Sequence, residues 1–205
     1  AIVIVPREFA AAAVRANVDQ SGTAGIAILD KAGVAIAGSP GMPAIGGKLA
    51  AFVQGARKGE RAVSDIFATP SGVPVIAFLV PVFGVQEDHT ADAQIGTVLG
   101  VKEVTRELYP LLKQPGSIDE TAEAVLVKHS GASIVYLSPL ADGTAPLALR
   151  LAADTPLLAA HFALRTPGGF ARRKDYRDTE VLVTARAIPE VSWALLYKVD
   201  VSEAL

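Results

Sequence analysis

The chain has 205 residues, is 51% hydrophobic and 20% charged, and carries a formal net charge of −2. That is enough apolar content to bury a core, with no basic run long enough to track a phosphate backbone, so a nucleic-acid partner is not expected. The absence of cysteine excludes disulfides, thiolate metal sites and cysteine nucleophiles.

The opening "AIVIV" (1–5) is too short for a membrane span or a signal peptide, and no other apolar run reaches the roughly 18–20 residues of a span. Residues 6–20, "PREFAAAAVRANVDQ", read as a helix with proline in its first turn and an alanine-rich body. "GIAILDKAGVAIAGSP" (25–40) reads as a β-hairpin, two apolar runs around a polar turn with glycine. The glycine-rich "GSPGMPAIGG" (38–47) lacks the order of a phosphate loop and reads as a connection bordering a pocket. "GGKLAAFVQGARKGE" (46–60) sets Leu49, Phe52, Val53 and Ala56 at helical spacing. "ERAVSDIF" (60–67) reads as a strand, "TPSGVPVIAFLVPVF" (69–83) as a turn and a long strand, and "QIGTVLGVKEVTREL" (94–108) as a strand running into an acidic helical tail.

The second half repeats this order. "TRELYPLLKQPG" (105–116) reads as a short helix broken by Pro110 and a linker. "AVLVKHSGASIVYLSP" (124–139) matches the first hairpin, closing on the same Ser-Pro. "DTPLLAAHFAL" (154–164) reads as a helix capped by Asp154 or Thr155. The basic "ARRKDYR" (171–177) reads as a solvated loop. "DYRDTEVLVTARAIPE" (175–190) and "VSWALLYKVDVSEAL" (191–205) read as two more strands and the beginning of a helix. In the last strand, alternation sets Trp193, Leu195 and Tyr197 on one face and Ala194, Leu196 and Lys198 on the other, with Trp193 expected to be buried against the helices.

The fold class is therefore α+β, with mostly antiparallel sheets in two units. The expected division is a helical segment over 1–19, one module over 20–115 and a second over 116–205.

Chemistry is harder to find. "EDHTAD" (87–92) matches no metal-site spacing and sits where a hairpin loop is expected. His129 lies in a turn beside Ser130, adjacency that makes no nucleophile–base pair, and no Gly-x-Ser-x-Gly elbow occurs. His161 falls on an apolar helix and reads as packing. No catalytic residue, metal or cofactor is expected, and a duplicated β-rich module without catalytic residues suggests binding.

The closing "DTEVLVTARAIPEVSWALLYKVDVSEAL" resembles the last strands of extracytoplasmic Cache sensor domains, and "SDIFATPSGVPVIAFLVPVF" with "QIGTVLGVKEVTREL" resembles the matching part of their membrane-distal module. The resemblance covers nearly the whole chain in the order of a double Cache domain. It implies two tandem PAS-like modules, each an antiparallel sheet of about five strands with flanking helices. It also implies a periplasmic or extracellular position between two membrane helices, a homodimer in the full receptor, and a histidine kinase, chemoreceptor or cyclic-di-GMP output. The helix begun at "DVSEAL" would then run toward a second span.

Amino-acid-binding members carry an Arg-x-Trp-Tyr cluster and a distal-module Asp. Here "KLAAFVQGARKGERAVSD" offers only Phe52 near the aromatics, and Lys102 falls where the Asp is expected. A cation would repel a ligand ammonium, which favours a small carboxylate. The expected site lies between the distal sheet and residues 41–67, with Phe52, Ser64, Asp65, Phe67 and Lys102 as candidates. The alternative function is a structural or dimerisation module with no ligand of its own.

Overall fold

The computed structural model describes residues 25–84, 93–113 and 119–205. The expected helix over 6–20 and the "EDHTAD" stretch lie outside the described residues. The chain divides into two compact units, 1–104 and 105–205. The division falls after Val104, ahead of the expected boundary at 115, because the segment that follows belongs to the second unit: the buried Tyr109 donates its hydroxyl to the Leu137 carbonyl at 2.7 Å.

The first unit contains β1 (Gly25–Leu29), β2 (Ala35–Gly38), α1 (Gly47–Gly55), β3 (Ala62–Val63), β4 (Phe67–Ala68), β5 (Pro74–Phe83) and β6 (Gln94–Glu103). Its sheet runs β2-β1-β6-β5-β3, with β4 also paired to β5, and every pairing is antiparallel. Strand alternation sends Ala27, Leu29, Val75, Ala77, Leu79, Leu99 and Val101 to one face. Onto that face α1 packs Leu49, Phe52 and Val53, and Ala56, the fourth residue at helical spacing, joins them from the extended residue that caps the helix.

The single strand expected over 60–67 is broken into β3 and β4. Ser64 explains the break. Its hydroxyl donates to the Asp65 carbonyl at 2.7 Å and accepts the Ala77 amide at 2.8 Å, so a side chain replaces one rung of the backbone ladder.

The second unit contains α2 (Leu108–Leu112), β7 (Glu123–Ser130), β8 (Ser133–Tyr136), β9 (Arg150–Ala152), α3 (Ala159–Arg165), β10 (Phe170–Lys174), β11 (Glu180–Ile188), β12 (Trp193–Asp200) and α4 (Val201–Ala204). Its sheet, β10-β11-β12-β7-β8-β9, is antiparallel throughout. Each sheet thus has six strands rather than about five, the additional ones being short. In both units the last strand pairs with the first hairpin strand, β6 with β1 and β12 with β7.

The duplication extends to a side chain. In the first hairpin Ser39 accepts the Ile26 amide at 3.1 Å, and in the second Ser138 accepts the Leu126 amide at 3.0 Å. Both serines are buried, and both precede the proline that ends the hairpin.

Three local expectations change. Pro110 does not break α2: it sits within the first turn, where its missing N–H has no intrahelical partner to lose. The helix expected from 154 begins only at Ala159, without a side-chain cap. Thr155 instead donates its hydroxyl back to the Ala152 carbonyl at 2.8 Å. And residues 171–174 of the supposed solvated loop form β10.

Trp193 is buried, at 5% exposure, as expected. It lies, however, on the face opposite the α3 core, whose β12 members are Ala194 and Leu196. Its own face also carries Leu126 and Val135, so both faces of this sheet are covered at its centre. No helix among the described residues is long and apolar enough to cross a membrane.

Two substitutions test these assignments by urea denaturation. Trp193→Ala should cost about 3–5 kcal/mol, the range for a large buried aromatic. Ser138→Ala, which leaves the buried Leu126 amide without its acceptor, should cost about 1–3 kcal/mol. A loss below about 1 kcal/mol for Trp193→Ala would contradict the strand's packing.

Candidate functional site

In the first unit a cavity of about 480 Å³ lies between the sheet, α1 and two turns. Its floor is apolar, with Leu29 and Leu79 from the sheet and Val53 from α1. The polar side chains come from the turns. In the turn after β1, Asp30 Oδ1 accepts the Ala32 and Val34 amides at 2.8 and 2.9 Å, which fixes the loop that presents Lys31. The second turn, ahead of β3, presents Arg57, Lys58 and Glu60. Gln94 ties this turn to the sheet: its Oε1 accepts the Gly59 amide at 2.7 Å, and its Nε2 donates to the Gly96 carbonyl and the Thr97 hydroxyl.

Gly96 is required where β6 meets β1. A Cβ there would come within 2.6 Å of the Leu29 carbonyl oxygen and push aside the strand that leads into the Asp30 turn.

The charges at the mouth are unequal. Arg57 and Glu60 form a long, exposed contact of 3.9 Å. Lys31 and Lys58 have no carboxylate partner among the described residues. Among the described residues the mouth thus holds three cations, Lys31, Arg57 and Lys58, against two carboxylates, Asp30 and Glu60, above an apolar floor.

The cavity lies between the sheet and residues 41–67, yet none of the five expected residues lines it. Phe52 packs from α1 against the core, and Phe67 is 8% exposed within the same core. Ser64 is engaged by backbone groups on both sides. Asp65 is exposed next to it. Lys102 requires a correction of geometry: it pairs with Ile76, while its neighbour Val101 is fully buried in the core. Alternation sends Lys102 to the sheet's other face, away from Phe52. The structure thus does not bring Phe52 and Lys102 together.

The second unit treats the corresponding space differently. Three small residues of α3, Ala159, Ala160 and Ala163, seat the helix directly on β7, β11 and β12. At the end of this core lies a buried charge cluster that the sequence reading missed. Lys198, 1% exposed, sets its ammonium 2.7 Å from Asp175 Oδ2 and 2.9 Å from Glu123 Oε2, over the Tyr176 ring at 5.0 Å. Arg177 extends it, donating to Asp175 Oδ2 at 2.7 Å and Asp200 Oδ1 at 2.5 Å. Tyr176 donates its hydroxyl to Glu123 at 3.0 Å.

Burial alone would raise the Asp175 pKa, but the bonds from Lys198 and Arg177 outweigh it and hold the carboxyl below its usual range. Burial pushes the Tyr136 and Tyr176 phenols up, so both stay neutral.

The cluster continues into α4. The Asp200 amide donates to the Thr121 hydroxyl at 3.0 Å. Glu203 accepts the Glu120 and Thr121 amides at 2.6 and 2.8 Å, and also the Thr121 hydroxyl. These bonds hold its carboxyl below the usual range. One turn of helix after β12 is thereby fastened to the segment leading into β7.

No protein-family model and no curated protein matches the sequence. Solved structures do. The chain is similar to the extracellular domain of a histidine kinase candidate, rpHK1S-Z16, at 15% identity and a TM-score of 0.63, covering 98% of this chain and 80% of that one. It is similar to the periplasmic sensory domain of the Campylobacter jejuni chemoreceptor Tlp1, at 11% identity and a TM-score of 0.61 over 97% and 82% of the two chains. The ligand-binding domain of Mlp24, solved with asparagine, matches at 15% identity and 0.60 over 96% and 76%.

The charge cluster sets a pH dependence. A carboxyl whose folded pKa is depressed stabilises above its unfolded value, about 3.9 for Asp, and loses that contribution as pH falls through the lower folded value. Urea midpoints should therefore fall more steeply from pH 5 to pH 2 in the native sequence than in Asp175→Asn. At pH 7, Lys198→Met takes the shared ammonium from Asp175 and Glu123, leaving Arg177 and Tyr176 as their side-chain donors, and should cost about 3–5 kcal/mol.

The fold, over nearly the full length of the chain, is that of double Cache sensor domains.

Proposed function

We propose that the chain is the extracytoplasmic sensor domain of a transmembrane signalling protein, and that its first unit binds a small carboxylate in the cavity between the sheet and α1. One observation carries the ligand class: a cavity with an apolar floor and two lysines at its mouth that have no carboxylate partner among the described residues. A ligand carboxylate would supply the missing charge, and a short apolar body would cover Leu29, Val53 and Leu79. This moves the anion-binding role from Lys102 to Lys31 and Lys58.

The solved relatives support the setting. Two of those named above are an extracellular and a periplasmic domain, and the third is a ligand-binding domain solved with asparagine, an amino acid that carries a carboxylate beside its ammonium. The second unit fits the structural alternative better, since α3 fills the space over its sheet. Its place before the outgoing helix suits a unit that passes a shift onward, in proportion to the ligand's preference between two conformations.

A thermal-shift screen of acetate, propionate, malonate, alkylamines and polyamines tests this. A carboxylate at a hundred times its dissociation constant should stabilise by about 2.7 kcal/mol. Lys31→Glu with Lys58→Glu should abolish the shift without lowering the melting temperature of the free protein. Stabilisation by amines and not by carboxylates would overturn the assignment.

A further inference from the structure

A second cleft, of about 290 Å³, opens at the edge of the second sheet between α3, the turn before it and β10. Its floor is the ring of Phe162, held from two sides. The Arg173 guanidinium lies 4.8 Å from the ring centroid. At the ring's tip Gly169 sits so close that a Cβ there would approach Phe162 Cζ to 2.8 Å. Arg173 donates one bond to the Arg172 carbonyl at 2.8 Å, which fixes its plane.

The cations around the cleft are of two kinds. Arg172 and Lys174, its neighbours on β10, are paired with Glu180 and Asp178. Arg165 and Arg173, which line the cleft, have no carboxylate partner among the described residues. His161 is committed through Nδ1 to the Ala153 carbonyl at 2.5 Å.

The rim is formed by Leu157, whose φ is +58° and which is 61% exposed. A bulky residue in the left-handed region is strained. The strain is held in place, because the Leu157 carbonyl accepts the Lys174 amide at 2.9 Å and Leu158 beside it is buried. Glycine would satisfy this turn without strain, and an exposed leucine gains no burial from it. The turn accounts for the backbone conformation but not for the leucine.

We propose that this cleft is a second binding site, for an amphiphilic carboxylate. The carboxylate meets the guanidinium forks of Arg165 and Arg173, whose planar donors match two oxygens. The short apolar chain lies across Leu157 and Phe162. The volume is near the lower end for small-molecule pockets, roughly 300 Å³, which suits a short-chain acid. The site is separate from the first-unit cavity and does not depend on it.

The test is calorimetric titration of the 205-residue protein carrying Lys31→Glu and Lys58→Glu, so that only the second site is read. The probes are n-hexanoate and inorganic phosphate. Hexanoate should bind, and Arg165→Gln, at an exposed position, should weaken it at least about tenfold. Leu157→Gly should weaken it several-fold while the melting temperature stays level or rises. Absence of hexanoate binding, or an affinity unchanged by Arg165→Gln, would overturn the proposal. So would phosphate binding as tightly as hexanoate, which would mark a bare anion patch. Unchanged affinity in Leu157→Gly would remove the leucine from the site.

Discussion

A lysine ammonium cannot be left alone in a protein core, and Lys198 is 1% exposed. Much of the second unit is arranged around that constraint. β12 carries Lys198 on the same face as Ala194 and Leu196, so the strand that builds the core also delivers a charge to its end. Two carboxylates answer it from different elements: Glu123 at the start of β7 and Asp175 in the turn after β10. Neither could leave without stranding the others, because Asp175 also holds Arg177, and Arg177 holds Asp200. The cluster fixes where β10 ends, where β7 begins and where β12 gives way to α4.

The two units show how one plan serves different ends. Both centre the last strand beside the first hairpin, and both close that hairpin with a buried serine that accepts a backbone amide. They diverge over the core face. In the first unit the turns on either side of α1 hold charged side chains outward and leave a cavity behind them. In the second, alanines bring α3 down onto the sheet, and the unit's own ammonium, carboxylates and tyrosine fill its end.

What the sequence made legible follows from periodicity. The α+β class, the duplicated hairpins, the α1 face of Leu49, Phe52 and Val53, and the alternation along β12 depend on local spacing, and all appear in the structure. What it hid depends on pairing between distant segments. Ser64 breaks a strand only because Ala77 lies across from it. The basic run at 171–177 looks solvated until β11 pairs with its first half and Lys198 calls its aspartate inward. One clue was present: a lysine assigned to the same face as Ala194 and Leu196 demands buried partners, and that demand alone pointed to acidic residues elsewhere in the unit.

A cavity does lie between the first sheet and residues 41–67, but the five residues singled out in the sequence do not line it, and for Lys102 the reason is again alternation. Position along β6 singles out Lys102, but the face it takes is decided by its neighbour. Val101 is wholly buried, so position 102 turns away from α1 whatever its chemistry. Strand positions facing this core are filled with Ala, Val and Leu, which leaves little room for a charge there. Charged groups near this cavity come instead from loops at the sheet's edge, Lys31 and Lys58 among them, on turns fixed by Asp30 and Gln94. A charge-bearing turn pinned to a rigid strand keeps its side chain hydrated while empty and near an apolar floor when filled, which a cation in the middle of the sheet could not do.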